Sequence, residues 1–470
     1  MVDTDHTREQ AAPASLSPLR RNVSMVAVLV SMLMANIDTS IVNVALPQLA
    51  TDLDATAADT IWVATAYLMA VACALPIMIG VADQLGRKRM FVLGTALFTI
   101  ASLACALAPD LQFLIVSRVV QGISASLVFA VAIPIYRQLF PPAKLGTVLG
   151  LNAMTVAVGT CAGPTLGGLI LANLSWPWLF LINIPLGAIA VILAQVAMPY
   201  RSPVRGRFDV AGSVLAAAAI ATFLLGVHQL ADVSTLWIAG ILLASCAILV
   251  VVFIRTERRS PAPVIPMGMF NGMFSLSILT AFWSFFGQGV AFVALPFLFQ
   301  IAYGATPLES ALLFTPWPLI IVIVAPLAGR LADRYDSAKL AITGLTIFTG
   351  GLLSLALLGG SPPQWRVLLC TGITGLGFAI FQSPNNRDMM SAAPLALAGP
   401  AAGMLNINRT LSQSAGAGAV SMALVLSGAS VGSLAAQASA ANSVLFVAVA
   451  GAAVSVVVSA LKLRGRQRTL

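Results

Sequence analysis

The sequence predicts an all-α polytopic membrane protein with fourteen transmembrane helices. Three observations predict it: a composition that water cannot solvate, apolar runs of bilayer length, and positive charge in every second connection. Of 470 residues, 59% are hydrophobic and 9% charged, whereas a soluble domain carries about a quarter charged residues. A hydrocarbon core about 30 Å thick asks for roughly 20 apolar residues per helix. The runs are continuously apolar and do not alternate, which indicates helices rather than a barrel.

Apolar runs broken by Pro, Gly and charge place the spans at 23–46, 61–82, 90–108, 112–134, 147–171, 176–198, 209–229, 235–254, 272–299, 308–328, 340–359, 366–386, 401–427 and 440–462. Basic residues mark alternate connections: Arg87 to Arg89, Arg137 with Lys144, Arg201 with Arg205 and Arg207, Arg255 with Arg258 and Arg259, Arg330 with Arg334 and Lys339, Arg387, and Lys462 to Arg468. The connections at 47–60, 109–111, 172–175, 230–234, 300–307 and 428–439 hold no Lys or Arg. Positive charge gathers on the cytoplasmic side, so both termini are expected there. The net charge of +9 is thus an orientation signal and does not call for nucleic acid.

Residues 1–22 are polar and lack the apolar core of a cleaved signal, so they read as a cytoplasmic tail. The expected division continues with a six-helix half at 23–198, two extra spans and a linker at 199–271, a second six-helix half at 272–462, and a basic cytoplasmic tail at 463–470. The five cysteines sit in apolar runs at no metal-ligand or disulfide spacing and read as packing residues. No nucleotide-binding loop is present, and neither a metal nor a cofactor is called for.

The segment from Ile79 to Lys88 is echoed by Gly329 to Asp336, with Asp83 and Asp333 in corresponding places. Paired halves around a central site are how many secondary transporters alternate access. Asp83-x-x-Gly86-Arg87-Lys88 resembles the cytoplasmic signature of the major facilitator superfamily, although its fourth preceding residue is Ile79 where that signature has Gly. The second copy, with Asp333 and Arg334, keeps this Gly as Gly329. Span 5 carries Gly159-x-x-x-Gly163-Pro164-x-x-Gly167-Gly168, similar to the string that marks exporters and antiporters in the superfamily. Such small residues also make a plain helix-packing face. Span 1, from Asn36 to Pro47, resembles the first helix of the fourteen-span drug:proton antiporters. Further matches surround Arg118, Asn385 and Arg409. The resemblance implies the major facilitator fold, gating at Asp83, Gly86, Arg87, Lys88, Asp333 and Arg334, and a bacterial inner-membrane location.

Asp38 lies mid-span, where a carboxylate costs roughly 2.5–3.5 kcal/mol on insertion scales and is rarely present without a task or partner. It can hold a proton or a cationic substrate, and two ligands that exclude each other exchange, which is antiport. The alternative is a structural pair with Arg118. By resemblance, Arg118 lines the cavity and relays protonation, with Gln121 one turn away on the same face. Cavity candidates are Asn36, Tyr67, Gln121, Phe285, Phe286, Gln288, Asn385, Asn406 and Arg409. Thr306-Pro307-Leu308-Glu309 fits a capping box rather than a proton site. His228 reads as solvated or satisfied at a helix end.

The expected function is proton-coupled export of an organic, cationic compound by a monomer in the lipid bilayer, with no enzymatic activity. A narrow metabolite exporter and a non-transporting receptor on the same fold stay open, because fold alone does not fix function.

Overall fold

The computed structural model describes residues 16–200, 209–230, 233–360, 362–394, 397–427 and 434–467, and every regular element among them is helical. The first half comprises α1 (Pro18–Asp52), α2 (Ala57–Leu85), α3 (Arg87–Ala106), α4 (Leu111–Leu139), α5 (Pro142–Asn173) and the pair α6 (Trp178–Leu181) and α7 (Asn183–Ala197). Two helices follow, α8 (Val210–Gln229) and α9 (Leu236–Glu257). The second half contains α10 (Gly272–Phe297), α11 (Pro307–Phe314) with α12 (Pro316–Arg334), α13 (Ser337–Ala356), α14 (Gln364–Ala392), α15 (Ala398–Leu426) and α16 (Leu434–Gln467).

Each expected span overlaps a helix or a broken pair. The breaks have local causes. Pro185 and Pro318 cannot donate backbone hydrogen bonds, so the sixth span is interrupted at Ile182 and the tenth at Thr315. Several helices run past the expected bilayer limits. The first begins at Pro18, where the Ser17 hydroxyl accepts from Arg20 N, and α16 continues to Gln467. Arg201, Arg205 and Arg207 lie outside the described residues.

Among the described residues, thirteen helices or broken pairs are long and apolar enough to cross a membrane. The remaining expected span is α15, diluted by Asn406, Asn408, Arg409, Thr410, Ser412, Gln413 and Ser414. It is not left to lipid: α15 packs against α2, α10, α16 and α8. The inserted α8 pairs with α9 and rests on both α2 and α15, across the seam between halves.

Successive helices run up and down, so the connections with and without basic residues lie at opposite ends, the basic end and the neutral end. Apolar packing differs between them. Toward the neutral end one continuous core runs from Ile41, Leu46 and Leu49 of α1 through Phe292, Phe297 and Trp317 to Val444 and Leu445 of α16. Toward the basic end each half has its own core, around Phe91, Val131 and Tyr136 in the first and Phe274, Met389 and Ala401 in the second. A small contact of Leu75 and Ala130 with Ile407 bridges them. The halves are therefore joined at the neutral end and held more separately at the basic end.

The α2–α3 turn shows why its sequence is what it is. Gly86 ends α2 and starts α3 with φ at +90°, a conformation an L side chain resists. Lys88 then places its ammonium on the carbonyls of Gln195 (2.9 Å) and Met198 (2.8 Å), capping the C-terminal end of α7. Gly86→Ala is expected to destabilise the protein by about 1–2 kcal/mol. Gly146→Ala, in an open helical position with nothing within 4 Å of the added carbon, is expected to be neutral or to gain up to about 1 kcal/mol. Thermal unfolding in detergent checks both, and equal losses would contradict the assignment of strain to Gly86.

Candidate functional site

A cavity between the halves is lined by two polar stripes that face one another. On α1 the stripe is Asn36, Thr39, Ser40 and Asn43; on α15 it is Asn406, Arg409, Thr410 and Gln413. Both have the spacing i, i+3, i+4, i+7, which gathers side chains on one helix face. The cavity has two adjoining lobes, narrow in this conformation, that share Asn36, Thr39, Leu68, Arg409 and Gln413. Arg409 reaches across to Asn36, Nη2 to Oδ1 at 3.5 Å. Apolar walls come from Val71, Phe129, Ile133 and Val156 in the larger lobe and from Phe292 and Val293 in the smaller.

Glycines set how closely α1 is held. A Cβ at Gly159 would fall 2.9 Å from Asn36 Cβ, one at Gly163 2.9 Å from Ser40 Cβ, and one at Gly167 3.0 Å from Ile41 Cγ1. These three positions, four residues apart, form a seam against the flank of α1 at the edge of its polar stripe. Gly168 faces elsewhere: its added Cβ would be 2.6 Å from Ala311 of α11. The Thr165 and Thr315 hydroxyls bond at 2.8 Å beside it, and Gln300 donates to the Val44 carbonyl at 2.8 Å, which ties the halves together toward the neutral end. Pro164 lies within α5 between these contacts.

Asp38 is not in this cavity. At 3.6 residues per turn it points about 150° around α1 from the centre of the polar stripe. Its side chain is fully buried in the first half, where Arg118 Nη1 meets Oδ2 at 2.5 Å. Oδ1 accepts from Gln121 Nε2 at 2.9 Å and Asn183 Nδ2 at 2.8 Å. Gln121 also donates to Ser102 Oγ at 2.8 Å and accepts from Arg118 Nη1 at 2.6 Å. Arg118 Nε donates to the Val63 carbonyl at 2.9 Å. Five helices thus converge on one carboxylate, and Gln121 belongs to this cluster rather than to the cavity wall. The Arg118 guanidinium lies 4.3 Å from the Tyr67 ring centre and 5.7 Å from that of Phe180. Tyr67 also lines the larger lobe, so it is the wall between the ion pair and the cavity.

Other expected residues fall into three groups. Asn36, Tyr67, Asn406 and Arg409 line the cavity as expected. Phe285, Phe286 and Gln288 do not. Phe285 packs against Phe378 with ring centres 5.6 Å apart, Phe286 against Trp283 at 5.7 Å, and Gln288 accepts from Gln413 at 3.0 Å. The cavity face of α10 is instead Gly289, Phe292 and Val293. Asn385 is buried beside a second ion pair, Lys462 with Asp388 at 2.7 Å, and donates to the Ser277 carbonyl at 3.2 Å. The side chains of Asp83 and Asp333 lie outside the described residues. Arg87 donates to the Pro134 carbonyl at 3.4 Å, and Arg334 is exposed at the end of α12.

Sequence reasoning missed Thr39, Ser40, Asn43 and Gln413 in the cavity, and Ser102 and Asn183 beside Asp38. The helical spacing of the first four was a usable signal. Nothing local announces the last two, which meet Asp38 only through tertiary packing. Glu309 completes the expected capping box: Thr306 N donates to its Oε2 at 2.8 Å, and Thr306 Oγ1 accepts from Glu309 N at 3.3 Å. His228 lies against Trp62, ring centres 4.1 Å apart.

The family model described as Major Facilitator Superfamily matches residues 28–417. The uncharacterized transporter YebQ of Escherichia coli is 38% identical over 412 residues, covering 86% of this chain and 89% of that protein. A multidrug resistance protein B homolog of Mycobacterium tuberculosis is 29% identical, covering 83% of this chain and 74% of the relative. In fold, the chain is similar to the crystal structure of a bacterial homologue of the human lysosomal transporter Spinster, in an inward-facing and unoccupied conformation. The TM-score is 0.68 with 15% identity, covering 95% of this chain and 98% of the other.

Removing one partner of a buried pair strands the other charge, at a cost of roughly 3–5 kcal/mol. Asp38→Asn and Arg118→Gln should each lower the unfolding midpoint in detergent, and the double variant should recover much of the loss. Additive losses would mean that the two side chains are not an energetic unit.

Proposed function

We propose that this chain, which belongs to the Major Facilitator Superfamily, exports organic small molecules from the cell by alternating access, in exchange for protons. The observation that carries this reading is the position of Tyr67, one face on the Arg118 guanidinium and its side chain in the cavity wall. A protonation event at Asp38 would break the contact with Arg118, loosen the cluster that ties α1 to α2, α3, α4 and α7, and reach the cavity through a single ring. The resistance-type relative and the glycine seam of α5 support export over import.

Orientation follows from the charge of the connections. With the basic end in the cytoplasm, the continuous apolar core closes the outer side and the cavity lies between the two separate inner cores. The α2–α3 turn, with Gly86, Arg87 and Lys88, and its counterpart at Arg334 then stand at the cytoplasmic gate. Asp83 and Asp333 belong to the same proposed gate by their place in the sequence. A monomer holds all of these parts.

The cationic charge expected on the substrate is not retained, because the carboxylate meant to receive it is sealed behind Tyr67. Proton and substrate then occupy different groups, and exchange is set by the alternation of the halves rather than by competition at one side chain.

Everted membrane vesicles with an acidified lumen test the proposal, using a panel of fluorescent acidic, neutral and cationic compounds. Gradient-driven uptake of at least one compound with matching proton release is expected for the wild type, and Asp38→Asn should abolish it. Uptake by Asp38→Asn at the wild-type rate and proton dependence would remove Asp38 from coupling.

A further inference from the structure

We infer that the transported compound is an amphiphilic organic acid whose carboxylate, or an equivalent anionic oxygen, is received by Arg409. The inference deepens the export reading above and rests on it only for treating this cavity as the substrate path.

Arg409 sits near the middle of α15, half-buried, at the junction of both cavity lobes. Among the described lining residues of the two lobes there is no Asp or Glu and no second cation. Its one hydrogen bond is the 3.5 Å contact to Asn36 Oδ1, at the long limit for such a bond. Among the described residues no carboxylate is paired with Arg409. Every acidic residue except Asp38 and Asp388 falls in the N-terminal tail, in a connection or within a turn or two of a helix end. Asp38 is committed to Arg118, and Asp388 to Lys462. A guanidinium within a membrane domain is costly and is ordinarily paired. Arg409 lacks that pairing at a cavity, where a ligand can provide it.

The surroundings say what else the ligand carries. A guanidinium offers a planar fork of donors suited to a carboxylate. Asn36, Thr39, Asn406 and Gln413 add neutral hydrogen-bonding groups around it. The remaining walls, Leu68, Val71, Phe129, Ile133 and Phe292, accept an apolar ring or chain. A permanent cation would meet Arg409 with like charge and no carboxylate to offset it. The proposed exchange is also favoured by the membrane potential. An anion leaving and a proton entering both move charge down an inside-negative potential.

The test separates this inference from the export reading by measuring binding as well as transport. Purified protein is titrated calorimetrically with naphthoate, naphthamide and a naphthylmethyl-trimethylammonium cation, which share one apolar body and differ in charge. Naphthoate should bind at least about tenfold more tightly than the other two, the fold-change that one charge-assisted hydrogen bond supplies. Arg409→Gln should erase the preference, and Arg409→Lys, which keeps the charge and guards against a folding defect, should retain part of it. Binding of the cation equal to or tighter than that of naphthoate, a preference unchanged in Arg409→Gln, or no binding of any probe would overturn the inference. Failure of export is read separately, as absence of proton-driven movement of every probe in the vesicle panel while naphthoate still binds through Arg409.

Discussion

A charge that lipid cannot solvate organises the first half of this protein. Asp38 and Arg118 are both fully buried, and each is acceptable there only because the other is present, with further hydrogen bonds to both carboxylate and guanidinium. Those partners come from distant points of the chain: Val63 on α2, Ser102 on α3, Gln121 on α4 and Asn183 on α7. The packing of these helices around α1 and the satisfaction of one carboxylate are therefore the same event. Among the described residues of the first half, Asp38 and Arg118 are the buried charged side chains.

From this pair the geometry leads outward in one direction, through the Tyr67 ring to the cavity. The cavity itself exists because two helices present polar stripes to each other while their other faces stay packed. α1 is held by the glycine seam of α5, which meets the flank of α1 that carries Asn36 and Ser40. α15 is held by α10 at the cavity edge, where a Cβ at Gly289 would fall 2.6 Å from the Gln413 carbonyl oxygen. Small residues beside the polar stripes thus determine how near the helices that carry them can come.

The distribution of apolar contact gives the cavity a closed side and a looser side. One core passes through both halves toward the neutral end, whereas the basic end is divided between two. In the proposed cycle that division would have to reverse, with the neutral-end core parting and the basic-end cores meeting. Packed cores are bistable rather than continuously deformable, which suits a carrier that must never be open to both sides.

The sequence by itself determined the membrane class, the number of spans and the sidedness of charge, because hydropathy, helix length and charge placement are local properties. It also singled out Asp38 and Arg118, since a charge in an apolar run is conspicuous in one dimension. Tertiary structure alone decided what surrounds them. Asp38 turned away from the cavity to face Ser102 and Asn183, and Phe285, Phe286, Gln288 and Asn385 were drawn into packing, while Arg409 remained at the cavity with Asn36 as its partner. The physical reason is that periodicity assigns a residue to a helix face, but only the arrangement of helices decides what that face meets.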